Sequence, residues 1–304
     1  MDRHEGWTRR EVLSAGLAAA VAPVLAGGSE TMITRRIPVS GEALPVIGLG
    51  TWQVFDVPST PEALAAPRRI VDMLIESGGR LVDSSPMYGR AERVVGDVIA
   101  AGADRKRLFL ATKVWTDGKM AGWRQMERSL ELMRTDVIDL MQVHNRRDLE
   151  THLETIREWQ AQKRIRYSGV TDYRESALDD MADVMRRYRP NFIQINYSLG
   201  EHGADDRVLP MAQELGIAVI VNRPFMSGRL FRAVAGRELP GWARELAASW
   251  GQFFLKFIVG HPAVTCVIPA TSNPDHMADN LGAGFGELPD AATRARMLRY
   301  IEEL

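Results

Sequence analysis

Eight short apolar runs, each long enough for one β-strand, recur along the chain at intervals of about 30 residues. Segments with the apolar spacing of a helix lie between them, for example residues 66–77, 123–134, 149–162 and 206–215. A strand–helix unit repeated eight times predicts an α/β fold, a parallel (β/α)8 TIM barrel, because an open doubly wound sheet usually has fewer strands. The eight runs are residues 45–52, 80–83, 108–113, 137–144, 164–170, 191–197, 217–222 and 264–269.

Additional elements flank this repeat. Residues 32–39 and 42–46 surround Ser40-Gly41 and predict an N-terminal β-hairpin, which we expect to close the floor of the barrel. The longest interval, from residue 217 to residue 264, predicts an extra loop at residues 226–240. Further helices, including two extra ones at the C-terminus, are predicted for residues 242–259, 274–281 and 290–304.

The first thirty residues differ from the rest of the chain. Arg9 and Arg10 precede a short uncharged run, residues 12–28, that ends in small residues. This order is typical of a secretory signal, and residues 8–13 resemble the twin-arginine (Tat) signal of bacteria. We therefore expect residues 1–30 to engage the Tat export machinery and residues 31–304 to be an exported, for example periplasmic, domain. An N-terminal helix with two chance arginines is the alternative, and the run is too short for a stable membrane anchor.

The composition excludes several classes of protein. The 38 Lys and Arg residues balance 39 Asp and Glu residues, so the net charge of −1 gives no basic footprint for nucleic acid. The single cysteine, Cys266, excludes an internal disulfide and a cysteine-based zinc site. The six histidines form no close pair with metal-ligand spacing, so no metal is expected. No assembly motif is visible, and a monomer is expected.

Polar residues stand where three of the predicted strands end. Asp83, Lys113 and His144 each close an apolar run, and Tyr88 follows Asp83 by five residues. In a (β/α)8 barrel the C-terminal strand ends meet at one mouth, where catalytic residues lie. The four side chains are therefore expected to converge there as a catalytic group.

This set of side chains suits reduction of a carbonyl group. A lysine beside a tyrosine stabilises the phenolate, and an aspartate paired with that lysine keeps it charged. The tyrosine can then donate a proton to a carbonyl oxygen while hydride reaches the carbon, with the histidine orienting the same oxygen. Taken singly, each residue also has a structural interpretation: Asp83 and Lys113 as an ion pair, His144 as a core residue, Tyr88 as a loop anchor.

Four segments in order resemble the aldo-keto reductases: residues 48–52 (GLGTW), 82–89 (VDSSPMYG), 112–115 (TKVW) and 139–144 (DLMQVH). The family's Asp, Tyr, Lys and His fall on Asp83, Tyr88, Lys113 and His144. The resemblance, which runs from about residue 36 to residue 280, implies reduction of aldehydes and ketones with NADPH bound without a Rossmann fold.

The resemblance also implies cofactor contacts, with departures. Thr171-Asp172 stands where the family usually has Ser-Asn against the nicotinamide amide, and Asn222 stands where a tyrosine often stacks under the ring. The implied contacts are Thr51, Trp52, Asp83, Thr171, Asp172, Gln194, Asn222, Arg223, Pro224, Phe225, Thr271, Ser272, Asn273, His276, Asp279 and Asn280.

The implied adenosine site lacks the charges that usually select NADPH. Ala270 and His276 replace a lysine and an arginine that members with strong NADPH preference place there. Charge-assisted hydrogen bonds are the strong ones, so their loss weakens binding of the 2′-phosphate. NADPH with weak discrimination over NADH is predicted.

The substrate is expected to be a small-molecule carbonyl compound of apolar or aromatic character. Trp52, Tyr88, Trp115 and His144 are predicted to wall its pocket, together with loop residues near Met226. The alternative is a catalytically silent nucleotide-binding or partner-binding barrel. A barrel hydrolase or isomerase would need a carboxylate pair or a metal site that the sequence does not show.

Overall fold

A computed structural model describes residues 31–304; residues 1–30, with the predicted export signal, lie outside the described part. Eight parallel strands form one sheet in sequential order. The ring closes because Ile47 pairs with Val267 and Gly50 pairs with Ala270, which joins the first strand to the last. The predicted (β/α)8 barrel is confirmed. Its strands are β3 (Leu49–Gly50), β4 (Leu81–Asp83), β5 (Phe109–Val114), β6 (Ile138–His144), β7 (Ile165–Asp172), β8 (Phe192–Asn196), β9 (Ala218–Asn222) and β10 (Val264–Val267).

Helices surround this barrel and contribute apolar side chains to its core. In the first of them, the Thr60 side chain accepts from the Ala63 N–H and Pro61 occupies the first turn, both of which favour a helix start. Ile70 and Leu74 of that helix then lie fully buried against the sheet. The helices are α1 (Pro61–Glu76), α2 (Ala91–Ala100), α3 (Lys119–Leu132), α4 (Leu149–Ala161), α5 (Leu178–Tyr188), α6 (Val208–Leu215), α7 (Arg229–Ala233), α8 (Trp250–Val259), α9 (Pro274–Gly282) and α10 (Ala291–Glu302).

The predicted hairpin consists of β1 (Thr34–Arg36) and β2 (Ala43–Pro45), and it covers the N-terminal end of the barrel. Ile37 and Leu44 pack in one buried cluster with side chains from the starts of the barrel strands, such as Phe109 and Phe192. The turn is longer than the expected Ser40-Gly41 pair, because Arg36 still pairs with Ala43 and the connection spans residues 37–42.

Two predicted element boundaries are wrong. The run 45–52 is not one strand: β2 ends at Pro45 and the barrel strand holds only Leu49–Gly50. The helix predicted for residues 242–259 begins only at Trp250, because the Ser249 hydroxyl accepts from the Gln252 N–H and caps it.

The long connection after β9 contains a 3-10 turn, Met226–Gly228, and then the short helix α7. Arg223, Met226 and Ser227 adopt φ angles of 50°, 50° and 53°, a left-handed conformation that is uncommon for residues other than glycine. Such strain concentrates at functional sites. Among residues 31–304 no helix is long and apolar enough to cross a membrane, and no cluster of metal-ligating side chains is present.

Gly96 allows α2 to approach the end of α3, and its replacement tests this packing. A Cβ at position 96 would lie 2.0 Å from the Leu132 carbonyl oxygen, whereas one at Gly241 would meet no atom within 4 Å. We expect Gly96→Ala to lower the free energy of unfolding by about 1–3 kcal/mol or more, since backbone must move. Thermal and urea unfolding measure this, with Gly241→Ala as the matched control. Equal stability of the two variants would contradict the packing.

Candidate active site

A buried ion pair lies at the mouth of the barrel. Asp83 ends β4 and Lys113 is the fifth residue of the neighbouring strand β5. The Lys113 Nζ atom lies 2.6 Å from Asp83 Oδ2 and also donates to the Ser84 carbonyl oxygen at 2.7 Å. Both side chains are almost fully buried. Burial by itself would lower the pKa of Lys113, but Asp83 and Tyr88 outweigh it and raise that pKa, so the lysine stays charged.

Tyr88 reaches this ion pair from the loop between β4 and α2. Its N–H donates to the Ser85 carbonyl oxygen at 3.0 Å, which closes a tight turn. The ring lies over the Lys113 ammonium, 4.9 Å from Nζ to the ring centroid. Burial raises the pKa of Tyr88 above its ordinary value of 10, while Lys113 pulls it in the opposite direction. The phenol therefore carries its proton at neutral pH, with a cation beside it.

His144 ends β6 and stands edge-on to Tyr88. The two ring centroids are 6.0 Å apart and the ring planes meet at 86°. Burial lowers the pKa of His144 to about 3, and the charge of Lys113 acts in the same direction. The imidazole is therefore neutral across the physiological range, so it can donate one hydrogen bond without carrying a charge.

Ser85 is hydrogen-bonded to His144, a contact that sequence reasoning missed. Its Oγ atom lies 3.1 Å from His144 Nδ1 and accepts from the Met87 N–H at 3.2 Å. In the tautomer in which Nδ1 accepts from the Ser85 hydroxyl, Nε2 is the N–H donor of the ring. Ser85 was inside the motif at residues 82–89, but no spacing rule connects residue 85 with residue 144.

One cavity of about 700 Å³ opens over these residues, within the usual size of a small-molecule site. Lys113 lies below it, and Gln53, Val54, Met87, Asn145 and Tyr173 line it without having been predicted. The predicted site residues that line it are Thr51, Trp52, Asp83, Tyr88, Trp115, His144, Thr171, Gln194, Asn222, Arg223, Pro224 and Phe225.

The outer walls of the cavity are largely aromatic. Trp52 is 47% exposed, and Met87 is also exposed among the lining residues. The Arg147 guanidinium lies 4.4 Å from the Trp115 ring centroid and covers that ring from one side. Met226 itself is buried and does not line the cavity, whereas Phe225, Ser227 and Gly228 of the same loop do.

A set of amide side chains forms the polar wall. Gln194 Nε2 donates to Asp83 Oδ1 at 2.9 Å, and its Oε1 accepts from Thr171 Oγ1 at 3.2 Å. Asn222 Nδ2 lies 3.4 Å from the same Oε1 atom. Asn222 Oδ1 and Arg223 Nε have no hydrogen-bond partner among residues 31–304. Both atoms are buried, and both residues line the cavity.

Asp172 is not among the residues that line the cavity, although a cofactor contact was predicted for it. Its carboxylate accepts from Arg146 Nε at 3.1 Å and from Arg174 Nη2 at 2.8 Å. Burial would raise the pKa of Asp172, but the two arginines outweigh it and lower that pKa. Asp172 is thus an anion already paired with arginine, and its neighbours Thr171 and Tyr173 line the cavity instead.

The residues of the implied adenosine site lie beyond Ala270, at the edge of the cavity. Asn273 Oδ1 accepts from the Asp275 N–H and caps α9. Asp279 accepts from Ser249 Oγ at 2.6 Å and from Gln252 Nε2 at 3.0 Å, so it also ties α9 to α8. Adenosine contacts at this segment stay a prediction. Within it, Ser272, Asn273 and His276 are exposed, whereas Thr271 and Asn280 are buried.

Residues 46–295 match the model of the aldo/keto reductase family, so the chain belongs to that family. It is 28% identical over 272 residues to methylglyoxal reductase YeaE of Escherichia coli, covering 86% of this chain and 93% of that protein. A Klebsiella pneumoniae aldo/keto reductase in complex with NADP and acetate is 27% identical, with a TM-score of 0.71 over 86% of this chain and 93% of that one. A K. pneumoniae aldo-keto reductase in complex with NADPH is 28% identical, with a TM-score of 0.70 over 90% and 95%.

The lowered pKa of His144 leads to a spectroscopic prediction. Because the group has a pKa of about 3, its ring resonances should not titrate between about pH 5 and 8, where an ordinary histidine does. Histidine-selective NMR over this range measures it, and the spectrum of His144→Gln assigns the signal. A midpoint near the ordinary value of 6.5 would show that the ring is not desolvated as the structure has it.

Proposed function

We propose that this protein reduces the carbonyl group of an aldehyde or ketone to an alcohol with NADPH. The observation that carries the proposal is the grouping of Tyr88, Lys113, Asp83 and His144 at the mouth of one cavity. Membership of the aldo/keto reductase family and the relatives named above support it.

The residues of the polar wall fit the cofactor. The Gln194, Thr171 and Asn222 side chains would surround its carboxamide, and Asn222 Oδ1 is an unpaired acceptor suited to an amide N–H. Arg223, which lines the cavity, would bind a phosphate oxygen with its guanidinium group. When bound, NADPH supplies the hydride.

Tyr88 acts as the general acid in this proposal. Its hydroxyl donates a proton to the carbonyl oxygen as the carbon receives hydride, and the phenolate that remains lies beside the Lys113 ammonium. Asp83 Oδ2, at 2.6 Å, holds Lys113 in its charged form. The developing negative charge is thereby met by a cation already in position.

His144 orients the same oxygen. The Nε2–H donates a hydrogen bond to it, since Ser85 occupies Nδ1. A neutral imidazole can do this without competing with Tyr88 for the role of acid, because its pKa of about 3 keeps it uncharged and its N–H is a weak acid. Tyr88 and His144 thus have separate roles, set by their environments.

The cavity walls indicate the substrate class. Trp52, Met87, Trp115 and Phe225 offer apolar contact area near the acid, which favours an aromatic or apolar carbonyl compound. One relative is named a methylglyoxal reductase, so methylglyoxal belongs in the same substrate panel. Gln53, Asn145, Arg223 and Ser227 add polar side chains to the lining.

Removal of the Tyr88 hydroxyl tests the assignment of the acid. We expect Tyr88→Phe to lower kcat for NADPH-dependent reduction of an aromatic aldehyde by about 10²–10⁴-fold, since the proton donor is lost. Loss of NADPH absorbance measures turnover, and the change in NADPH fluorescence on binding should persist in the variant. Unchanged turnover would remove Tyr88 from the mechanism.

The catalytically silent barrel is the second candidate, favoured by the pairing of Asp172 with Arg146 and Arg174 instead of a position in the cavity. The same assay distinguishes the two. A wild-type protein that changes NADPH fluorescence but turns over neither aromatic aldehydes nor methylglyoxal would support nucleotide binding without catalysis.

Coenzyme preference follows from the charges of the implied adenosine segment. Residues 270–280 contain Asp275 and Asp279 but no lysine or arginine, so the 2′-phosphate gains no charge-assisted bond there. We expect the dissociation constants of NADPH and NADH to agree within about tenfold. His276→Arg should strengthen NADPH binding by about tenfold or more and leave NADH unchanged. Ala278→Arg on the same helix is the control, and a wild-type preference of a hundredfold for NADPH would contradict the prediction.

A further inference from the structure

Gln142 is a fully buried amide directly beneath the catalytic group. It lies on β6 two residues before His144, so both side chains point to the same side of the strand. Its Nε2 atom donates to Asp83 Oδ1 at 3.1 Å. Its Oε1 atom has no hydrogen-bond partner among residues 31–304. The side chain thus makes one bond within the described chain, and that bond goes to the catalytic carboxylate.

The two oxygens of Asp83 are used differently. Oδ2 accepts from Lys113 Nζ, whereas Oδ1 accepts from Gln142 Nε2 and Gln194 Nε2 at 3.1 and 2.9 Å. A buried carboxylate without hydrogen-bond donors is costly, and its orientation is then decided by whichever cation pulls on it. Two amide donors on one oxygen determine the rotation of the carboxylate and direct the other oxygen at the lysine.

We propose that Gln142 is a positioning residue of the reaction, which holds Asp83 Oδ1 so that Oδ2 stays directed at Lys113 and Lys113 stays under Tyr88. This inference rests on the proposed reductase function. Gln142 is not among the residues that line the cavity, and its effect on the reacting oxygen passes through Asp83, Lys113 and Tyr88.

Gln194 cannot replace Gln142 in this role. It lines the cavity, and it is the amide that the proposed cofactor would contact. Any rotation of Gln194 toward a ligand weakens its bond to Asp83, since one amide group serves both. Gln142 does not line the cavity, so its hydrogen bond to Asp83 is not exchanged for one to a ligand.

A glycine on the neighbouring strand leaves room for the Gln142 side chain. Gly169 pairs with Gln142 across β6 and β7. A Cβ at position 169 would lie 2.9 Å from Gln142 Cγ and 3.1 Å from Leu140 Cδ1. Glycine inside a strand weakens it and often marks a close approach. Here the atoms that approach belong to the proposed positioning residue.

Two substitutions at position 142 separate positioning from packing. Gln142→Met keeps the length of the side chain and removes the donor, so kcat should fall by about 10- to 100-fold at every pH, as for the loss of a hydrogen bond to a charged group. In Gln142→Glu a protonated carboxyl can donate to Asp83, but an ionised one repels it. Its kcat should therefore approach that of the wild type at low pH and fall as pH rises within about pH 5–8, a step absent from the wild type.

The readouts also distinguish this inference from the proposed function. KM for the aldehyde and the dissociation constant of NADPH should change less than about threefold in Gln142→Met, because it touches neither ligand. The pKa of Tyr88 should be higher in Gln142→Met than in the wild type. It is measured by ultraviolet titration of each cofactor-free protein, as the difference between that protein and the same protein carrying Tyr88→Phe. Gln213→Met and Gln213→Glu, on the exposed face of α6, control for the substitutions themselves.

Each outcome decides the inference. Suppose that the wild type turns over while kcat is unchanged in Gln142→Met, or while the pH profile of kcat in Gln142→Glu shows no new step. Either result overturns the role of Gln142 and leaves the proposed reductase function intact. An unchanged Tyr88 titration in a folded Gln142→Met protein overturns it as well. Absence of turnover in the wild type with every carbonyl compound overturns the proposed function, and the inference with it.

Discussion

The buried ion pair of Lys113 and Asp83 is the interaction on which the rest of the site depends. Two charges removed from water at 2.6 Å are tolerated only when their remaining donors and acceptors are satisfied. The Ser84 carbonyl oxygen and the amides of Gln142 and Gln194 supply those partners. Leaving one charge without its partner typically costs about 3–5 kcal/mol, so this part of the barrel combines stability with catalytic geometry.

The ion pair also sets the protonation of its neighbours. Tyr88 is held as a phenol by burial but has a cation beside its ring, so the proton can leave when a carbonyl oxygen takes it. The same cation helps to keep His144 neutral. Ser85 Oγ lies 3.1 Å from His144 Nδ1, which leaves Nε2 free of this contact. In the proposed mechanism Tyr88 is the acid and His144 the neutral hydrogen-bond donor, and the charge of one lysine inside the barrel acts on the pKa of both.

The cofactor side of the cavity has adapted differently from the catalytic side. Asp172, which stands where the family usually has asparagine, is neutralised by Arg146 and Arg174 and withdrawn from the cavity. Arg223, whose backbone has a left-handed conformation, lines the cavity, whereas Asp172 does not. Residues 270–280, by contrast, contain no lysine or arginine.

The sequence by itself determined the repeat of eight strands and the placement of Asp83, Lys113 and His144 near one mouth, because the C-terminal ends of the strands meet there in a (β/α)8 barrel. Short-range capping at Ser249 overrode the apolar spacing that predicted a longer α8. Only the tertiary structure decided the partners of Asp172, the role of Ser85 and the bond of Gln142 to Asp83. The Asp172–Arg146, Ser85–His144 and Gln142–Asp83 contacts join residues from different strands or loops. Such distances depend on barrel register and loop conformation, which spacing along one chain does not specify.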